Sequence, residues 1–294
     1  MLATLIAAAA QTARNAAQSG LTRQIGTLGA TQVRFLFGLP FAVLFVGIAG
    51  LATGEAVPAL TMGSLGYTAL GAVAQIGATA LMLVTMKSRS FAVTTAWMKT
   101  EPVMVALVAT VVIGDPLTPT KLVAILIATA GVVILSVKPG TARGLVSDGG
   151  SVATGLLAGL LFGLAAIGFR GGILGLGEGS FLMRASTILV VSLVLQSGVL
   201  LVWLLAFDRV ALAGSFRVWR ASVLAGFLGA FASQFWFIGF SLTSAAHVRT
   251  LALVEVIMAL GVSRFLFRQG ISSRQVVGMA IMVSGVALLL LGQQ

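Results

Sequence analysis

The chain has 294 residues, of which 59% are hydrophobic and 9% charged, with a mean hydropathy of +1.10. A soluble domain carries about 25% charged residues, so this composition excludes a water-soluble globular protein and indicates a polytopic membrane protein. The net charge of +11 does not indicate nucleic-acid binding, because most Lys and Arg lie at the ends of apolar stretches. The absence of Cys excludes disulfides and thiol chemistry.

Ten apolar stretches follow one another along the chain, and each is long enough to cross a bilayer as a helix. They are approximately 2–20, 27–50, 61–86, 91–113, 119–137, 151–173, 181–206, 217–241, 245–267 and 273–292. Turn-forming residues separate them, for example at 54–58 and 208–215. The first stretch has no basic segment before it and is predicted to be a membrane span, not a signal peptide.

Polar side chains form a stripe on the first stretch. Gln11, Asn15, Gln18 and Thr22 share a narrow arc at 100° per residue, and Arg14 lies beside them. Lipid does not accept such a stripe, so it is predicted to line an interior cavity. The alternative is an amphipathic helix on the membrane surface, which the Ala-rich opposite face disfavours.

The fourth stretch carries charges near its middle, at Lys99 and Glu101, followed by Pro102. A charge at mid-bilayer costs about 2.5–3.5 kcal/mol on insertion scales, so this helix is predicted to face protein or water. Trp97 and Thr94, four and seven residues before Glu101, are predicted to share its face and to offer a ring and a hydroxyl to a ligand. Lys99 lies about 200° away from Glu101, which predicts that the two do not point into one narrow pocket.

The sequence repeats itself. A shift of 154 places Glu101 on Glu255 and Gly131 on Gly285, and a shift of 156 places Arg14 on Arg170. We therefore predict an all-α membrane protein of ten transmembrane helices in two inverted five-helix repeats, since an odd number of spans per half reverses its orientation. The first repeat is 1–138, the linker is 139–150 and the second repeat is 151–294.

Basic residues alternate along the predicted loops. The odd-numbered loops hold eleven Lys and Arg, whereas the even-numbered loops and both tails hold only Lys121. The positive-inside rule then places the odd loops in the cytoplasm and both termini outside it. We expect a multi-pass protein of the bacterial inner membrane.

The segment from the third to the fifth stretch resembles the signature of EamA-type transporters in the drug/metabolite transporter superfamily. The residues that carry the resemblance are Glu101, Pro102, Gly114, Asp115 and Gly131. The second half repeats the pattern more loosely, with Val256 in place of the proline and Gln269 in place of Asp115. The resemblance implies ten helices around a central cavity and transport of small metabolites or drugs, usually outward. Relatives include exporters of amino acids and are expected to have cytoplasmic termini, which conflicts with the charge bias.

The acidic residues have two interpretations. A carboxylate in a low-dielectric cavity can exchange a proton near neutral pH, so Glu101 and Glu255 are predicted to couple protons or bind a cationic group. Alternatively, they are structural partners of buried Arg or Lys. His247, about 80° from Glu255 on the same helix, is a candidate for a proton path. A lone His near a span end is more often an interface residue.

Interior Arg and polar residues indicate the class of ligand. Arg14, Arg170 and Arg249 outnumber the interior acids, which favours an anionic or zwitterionic substrate, unless they pair with the glutamates. Gln75 and Gln234 are predicted to bind substrate or to bond across helices. The predicted substrate-binding residues are Gln11, Arg14, Asn15, Gln18, Gln75, Thr94, Trp97, Lys99, Glu101, Arg170, Gln234, Arg249 and Glu255.

Two further patterns concern packing. Four aromatic residues form a run in the eighth stretch, namely Phe231, Phe235, Trp236 and Phe240. They are predicted to pack against other helices or lipid in preference to stacking on a ligand. Overlapping GxxxG spacings predict close helix approach within the fold in preference to dimerisation, and they comprise Gly155, Gly159 and Gly163.

No phosphate-binding glycine loop, metal-ligand cluster or nucleophile–base pair is present in the sequence. We therefore expect no cofactor and no enzymatic activity. The predicted function is a secondary transporter, most simply an exporter of a small zwitterionic or anionic, amino-acid-like metabolite. One alternative is a multidrug exporter of cationic lipophilic compounds that uses Glu101, and another is a membrane scaffold, which has no need of buried charges. The expected partners are the substrate and the lipid bilayer, without nucleic acid, and the expected state is a monomer or weak homodimer.

Overall fold

The computed structural model describes residues 2–108, 118–136, 149–242, 248 and 252–291. This part of the chain is helical and contains no strand. Six helical stretches in it are long and apolar enough to cross a membrane. They are Leu2–Thr53, Met62–Ser88, Gly149–Leu174, Phe181–Phe207, Trp219–Leu242 and Ser273–Leu291. The all-α class and the apolar, membrane-compatible helices that the sequence predicts are confirmed.

Twelve α-helices are described and are numbered in chain order. They are α1 (Leu2–Leu36), α2 (Leu39–Thr53), α3 (Met62–Ser88), α4 (Phe91–Met98), α5 (Glu101–Val108), α6 (Pro119–Ser136), α7 (Gly149–Leu174), α8 (Phe181–Phe207), α9 (Arg209–Arg217), α10 (Trp219–Leu242), α11 (Val254–Gly261) and α12 (Ser273–Leu291). A π-helical turn, Val262–Leu266, follows α11 directly.

Helix α1 contains two apolar stretches that fold back on each other at Gly26. The side-chain Nε2 of Gln18 donates to the carbonyl of Ala30 at 2.8 Å, whereas a straight helix would separate these residues by about 18 Å. Gly26 has a φ of 73°, a backbone angle that residues with a Cβ rarely adopt. The predicted break between residues 20 and 27 is confirmed. A second break at 37–38, before Pro40, was not expected.

The predicted helix 91–113 is not continuous. Helix α4 ends at Met98, and α5 begins at Glu101. Pro102 explains the interruption, because proline lacks an N–H and its ring clashes with the carbonyl four residues earlier, which is that of Met98. Lys99 and Thr100 instead close tight turns to Ala96 and Trp97 at 3.0 and 3.1 Å. Residues 109–113 lie outside the described part of the chain.

The corresponding place in the second half is also irregular. Leu253 forms a turn directly before α11, and its carbonyl accepts from the N–H of Val256 at 3.1 Å. A one-residue turn at Leu253 therefore precedes Glu255 by two residues, as the turn at 99–100 directly precedes Glu101. Most of the first part of the predicted helix 245–267, namely 245–247 and 249–251, lies outside the described residues.

The sequence predicts connections at 208–215 and in the linker 139–150. The predicted break at 208–215 does separate α8 from α10, but the turn residues there form the short helix α9 and not an irregular loop. Asp208 begins this helix by accepting from the N–H of Ala211 at 2.9 Å, which is the preferred role of Asp at a helix N-cap. Residues 139–148 of the predicted linker lie outside the described residues, and α7 begins at Gly149.

Glycines allow the helices to approach closely. The most extensive pairings join α3 to α7, α1 to α10, and α6 to α12. A Cβ on Gly168 would lie 2.7 Å from the Cα of Gly71, so the backbones of α7 and α3 touch here. Without water to drive burial, such van der Waals contact is a main source of helix association in a bilayer.

The predicted GxxxG contacts occur within the fold. A Cβ on Gly155 would lie 2.7 Å from the ring of Trp97, and one on Gly159 would lie 3.0 Å from the carbonyl of Met98. At both glycines α4 therefore packs directly against α7, which confirms close helix approach at these two positions.

One acidic side chain joins distant connections at the surface. Glu55, in the connection between α2 and α3, accepts from the backbone N–H of Ser180 at 2.8 Å. This hydrogen bond to its charged form lowers the pKa of Glu55 below the ordinary value. Ser180 also caps α8 by accepting from the N–H of Met183, so Glu55 holds the start of α8 in place.

Candidate functional site

A polar cavity lies inside the bundle, between α1, α3, α7, α10 and the interrupted helices α4–α5 and α11. Its free volume is about 50 Å³, which has room for a few water molecules. Its walls are formed by Gln11, Asn15, Gln75, Met98, Lys99, Glu101, Phe162, Ala165, Ala166, Phe169, Ser233, Trp236, Phe237, Phe240 and Glu255. We call it the central cavity.

An ion pair crosses the central cavity. The Nζ of Lys99 lies 2.9 Å from Oε1 of Glu255, and the two residues are only 6% and 1% exposed. Lys99 follows α4 at its interruption, and Glu255 lies in the first turn of α11. The pair therefore joins the interruption after α4 to the start of α11, where Leu253 forms a turn.

Two further side chains extend this pair into a network. Gln11 of α1 donates from Nε2 to Oε2 of Glu255 at 2.8 Å and accepts from the indole N–H of Trp236 at 2.9 Å. The Nζ of Lys99 lies 5.9 Å from the centre of the Trp236 ring, within the range of a cation–π contact. Residues from α1, α10, α11 and the end of α4 are thus held together.

The structure corrects the prediction for the aromatic run. Trp236 and Phe240 line the cavity and do not serve only packing or lipid contact. Ser233, Trp236, Phe237 and Phe240 share one helix face by their spacing, so the pattern contained the signal. Phe231 and Phe235 do pack beside a lateral groove, as expected for the rest of the run.

Lys99 and Glu101 both line the central cavity, which contradicts the expectation that they diverge. That expectation assumed a continuous helix, and the interruption at 99–100 changes the direction of every side chain after it. The same interruption separates Glu101 from Trp97 and Thr94, which are fully buried and outside the lining. Trp97 packs against Gly155 instead. The predicted cavity roles of Trp97 and Thr94 do not match their placement.

Arg14 lies directly behind the cavity wall. It is fully buried and donates from Nε to Oδ1 of Asn15 at 3.2 Å, and Asn15 lines the cavity. Its Nη1 has no hydrogen-bond partner among the described residues. Arg34 lies nearby, because a Cβ on Gly229 would meet both side chains, and it donates to Thr79 at 2.9 Å. The polar stripe of the first helix is interior, as predicted.

Positive charge exceeds negative charge among the buried groups of the described chain. The buried cations are Arg14, Arg34 and Lys99, and the buried carboxylates are Glu101 and Glu255. Charges far from water persist only with partners, so the surplus favours an added anionic group in this region.

The predicted glutamines divide into two groups. Gln75 lines the central cavity and accepts from Nε2 of Gln196 at 2.8 Å. Gln196, on α8, is a buried supporting residue for which the sequence offered no signal. Gln18 and Gln234 lie outside the lining, because they bond to the carbonyl of Ala30 and the hydroxyl of Ser186.

Arg170 is also outside the cavity lining. It donates from Nη1 to the carbonyl of Phe240 at 2.9 Å, which anchors α7 to α10. Arg249 and His247, the remaining predicted site residues, lie outside the described residues. Within the described part of the chain, no group of three His, Cys, Asp or Glu could hold a metal ion.

Comparison with known proteins concerns the fold. No family model and no curated protein sequence matches the chain. Twenty-three chains of solved structures match it. One of them, from the crystal structure of a protein, is 19% identical, with 97% of this chain and 95% of that chain covered and a TM-score of 0.61. At this identity, the similarity shows a shared fold over nearly the whole chain.

Proposed function

We propose that the protein is a secondary transporter of the EamA type that exports a small zwitterionic or anionic, amino-acid-like metabolite by alternating access. The observation that carries this proposal is the Lys99–Glu255 ion pair, which lines a cavity inside an apolar helical bundle. Glu101 beside the pair is a candidate for proton coupling, as are Glu255 and His247.

The energetics of the pair support a functional role. Removing two charges from water costs several kcal/mol per ion, and a well-packed apolar pair is often as stable or more stable. A pair with a purely structural role would therefore add little stability, which favours a functional role for this one. Ionisable groups within apolar helices typically mark substrate or ion pathways.

The chemistry of the cavity suits a zwitterion. The ammonium of Lys99 is a partner for a carboxylate, and the carboxylates of Glu255 and Glu101 are partners for an ammonium group. Amides of Gln11 and Asn15 lie beside them. A zwitterion can take over both halves of the ion pair without leaving a buried charge unpaired, whereas an ion of one sign cannot.

The proposed inverted repeat provides a route to alternating access. The three most extensive helix pairings are α3–α7, α1–α10 and α6–α12. A two-fold operation that exchanges residues 1–138 with 151–294 would exchange the first two pairs with each other. It would map the third pair, α6–α12, onto itself. Lys99 and Leu253, at the two interruptions, differ by the same 154 residues as Glu101 and Glu255. Discontinuous helices at a site between repeats are typical of secondary transporters.

The membrane environment follows from the same proposal. We place the chain in the bacterial inner membrane with its basic odd-numbered loops in the cytoplasm. In this arrangement, the two termini lie on the opposite side.

Thermal unfolding with a ligand panel tests the proposed substrate class, since a ligand at 100 times its Kd stabilises by about 2.7 kcal/mol. The panel contains L-amino acids, their methyl esters, their N-acetyl derivatives and lipophilic quaternary ammonium ions. We expect amino acids to raise the Tm and the esters, which lack a carboxylate, to leave it unchanged. Glu255→Gln is expected to abolish the shift, whereas Glu178→Gln, at an exposed position, retains it.

The other outcomes are equally specific. A shift with N-acetyl derivatives alone would identify an anion transporter. A shift with quaternary ammonium ions alone, abolished by Glu101→Gln, would replace the proposal with the multidrug alternative. No shift with any amino acid or anion would contradict the proposed substrate class.

A further inference from the structure

A second, larger cavity of about 570 Å³ lies at the end of the bundle that carries the odd-numbered loops. Its lining includes Ser19, Thr22, Arg23, Lys87, Phe91 and Phe267. We propose that this basic chamber is a second substrate site, which collects the carboxylate of the metabolite before it reaches the central cavity, and that Phe91 and Phe267 form the gate between the two. The inference rests on the proposed transport function and extends it.

Helix α1 connects the two cavities. Gln11 and Asn15 line the central cavity, and Ser19 and Thr22 line the basic chamber. Spacings of four, four and three residues keep these side chains on one face of the helix. Asn15 and Ser19 differ by about 6 Å along the axis, so the chamber begins one turn beyond the central cavity.

Apolar side chains fill that interval. Ala16, Phe91 and Ala259 form a buried cluster against which Met86, Val262 and Phe267 pack. The rings of Phe91 and Phe267 lie 5.5 Å apart between centroids. In the proposal, these two rings, packed with Ala16 of α1, form the barrier between the chamber and the central cavity.

The gate belongs to elements that adjoin the helix interruptions. Phe91 begins α4, which ends at the first interruption, and Phe267 follows the π-helical turn after α11. Oε1 of Gln269 accepts from the N–H of Phe91 at 3.0 Å and from the hydroxyl of Ser263 at 2.7 Å. Gln269 therefore ties the start of α4 to the π-helical turn, so the proposed gate opens only when this contact breaks or shifts.

The charge of the chamber selects its ligand. Arg23 and Lys87 are exposed, and no acidic residue is among the described residues that line the cavity. A basic cleft with low-dielectric walls raises the local concentration of anions. In this conformation the chamber, at about 570 Å³, has room for a solvated metabolite, whereas the central cavity, at about 50 Å³, does not, so the proposal has the chamber occupied first.

Single-cysteine labelling tests the chamber, because the chain contains no native Cys. Ser19→Cys in full-length protein in phosphatidylcholine nanodiscs is reacted with an anionic and a cationic methanethiosulfonate. Relative to Gly177→Cys, an exposed position, we expect the anionic reagent to be favoured about fivefold by the local field. The combined Arg23→Gln and Lys87→Gln change should remove this preference, and Arg217→Gln should not. A preference that is absent, or that survives the double change, would overturn the proposal.

A lipid headgroup is the other source of an anionic group. If the anionic preference disappears when phosphatidylglycerol is added to the nanodiscs, the chamber binds lipid and not the metabolite. The proposal expects the preference to persist and the amino acids that raise the Tm to protect Ser19→Cys from labelling.

The gate is tested in oriented vesicles, with the chamber side identified as the side from which Ser19→Cys reacts. Asn15→Cys should react slowly from that side. Phe91→Ala or Phe267→Ala should accelerate it about tenfold by populating a minor open state. Phe267 is only half-buried, so its variant is expected to fold even if Phe91→Ala does not. Phe265→Ala, at a residue 84% exposed on the same turn, should have no effect.

Failure of the gate would appear as equal reactivity of Asn15→Cys and Ser19→Cys in the absence of other changes, or as no acceleration in either phenylalanine variant. These experiments need no transport. They can therefore contradict the chamber and the gate even when a ligand-induced Tm shift supports the proposed substrate class. Conversely, the anionic preference and the gate effect can be observed when no ligand raises the Tm, which would contradict only the substrate class.

Discussion

Lys99→Met is expected to destabilise the protein by about 3–5 kcal/mol, because it leaves the carboxylate of Glu255 buried without its ion partner. Lys99 lies 2.9 Å from Glu255, which is only 1% exposed. Gln11 still donates to that carboxylate but carries no charge to balance it. The measurement is equilibrium unfolding by denaturing detergent in mixed micelles. Arg217→Met, at an exposed position, is the control and should change the stability by less than about 0.5 kcal/mol.

The double variant Lys99→Met with Glu255→Met separates stability from function. Replacement of both charges by apolar groups is often neutral or stabilising, so we expect the unfolding free energy to return to within about 1 kcal/mol of the original. Binding of the zwitterion should nevertheless remain absent. A double variant as unstable as the sum of the two single variants would show that the two charges do not compensate each other.

The crossing of α6 and α12 should tolerate no side chain at its two glycines. A Cβ on Gly131 would lie 2.6 Å from the Cα of Met282, and one on Gly285 would lie 2.8 Å from the carbonyl oxygen of Ala124. These neighbours are backbone atoms and cannot rotate away. Gly131→Ala and Gly285→Ala should therefore each destabilise by about 3 kcal/mol, at the upper end of the overpacking range.

Gly198→Ala on α8 is the matched control, because nothing lies within 4 Å of its added Cβ. This substitution should be neutral or stabilise the helix by up to about 1 kcal/mol. The same unfolding measurement serves all three variants. Equal stability of Gly131→Ala and Gly198→Ala would mean that α6 and α12 are not in backbone contact.

The sequence predicted features that depend on composition and on short, regular spacing. Apolar stretches reveal helices irrespective of their neighbours, and the stripe of Gln11, Asn15 and Gln18 had to be interior because lipid excludes it. The shift of 154 residues singled out Glu101 and Glu255, and both line the central cavity.

The errors concern places where a helix is not regular. Helical spacing at 100° per residue holds only within one helix, and Pro102 interrupts that helix just before Glu101. Regular spacing therefore predicts the wrong side for Trp97 and Thr94 and wrongly separates Lys99 from Glu101. The partner of Lys99 could not be predicted, because Glu255 is 156 residues away and only tertiary packing brings them together.

Exchange of an amino acid across a membrane tests the central claim most directly. The protein is reconstituted into liposomes loaded with an unlabelled amino acid that raises its Tm, and entry of the labelled compound is followed. We predict that the protein with its native sequence exchanges the compound and that the folded Lys99→Met/Glu255→Met variant does not. No exchange by the native sequence, or equal exchange by the double variant, would contradict transport through the Lys99–Glu255 site.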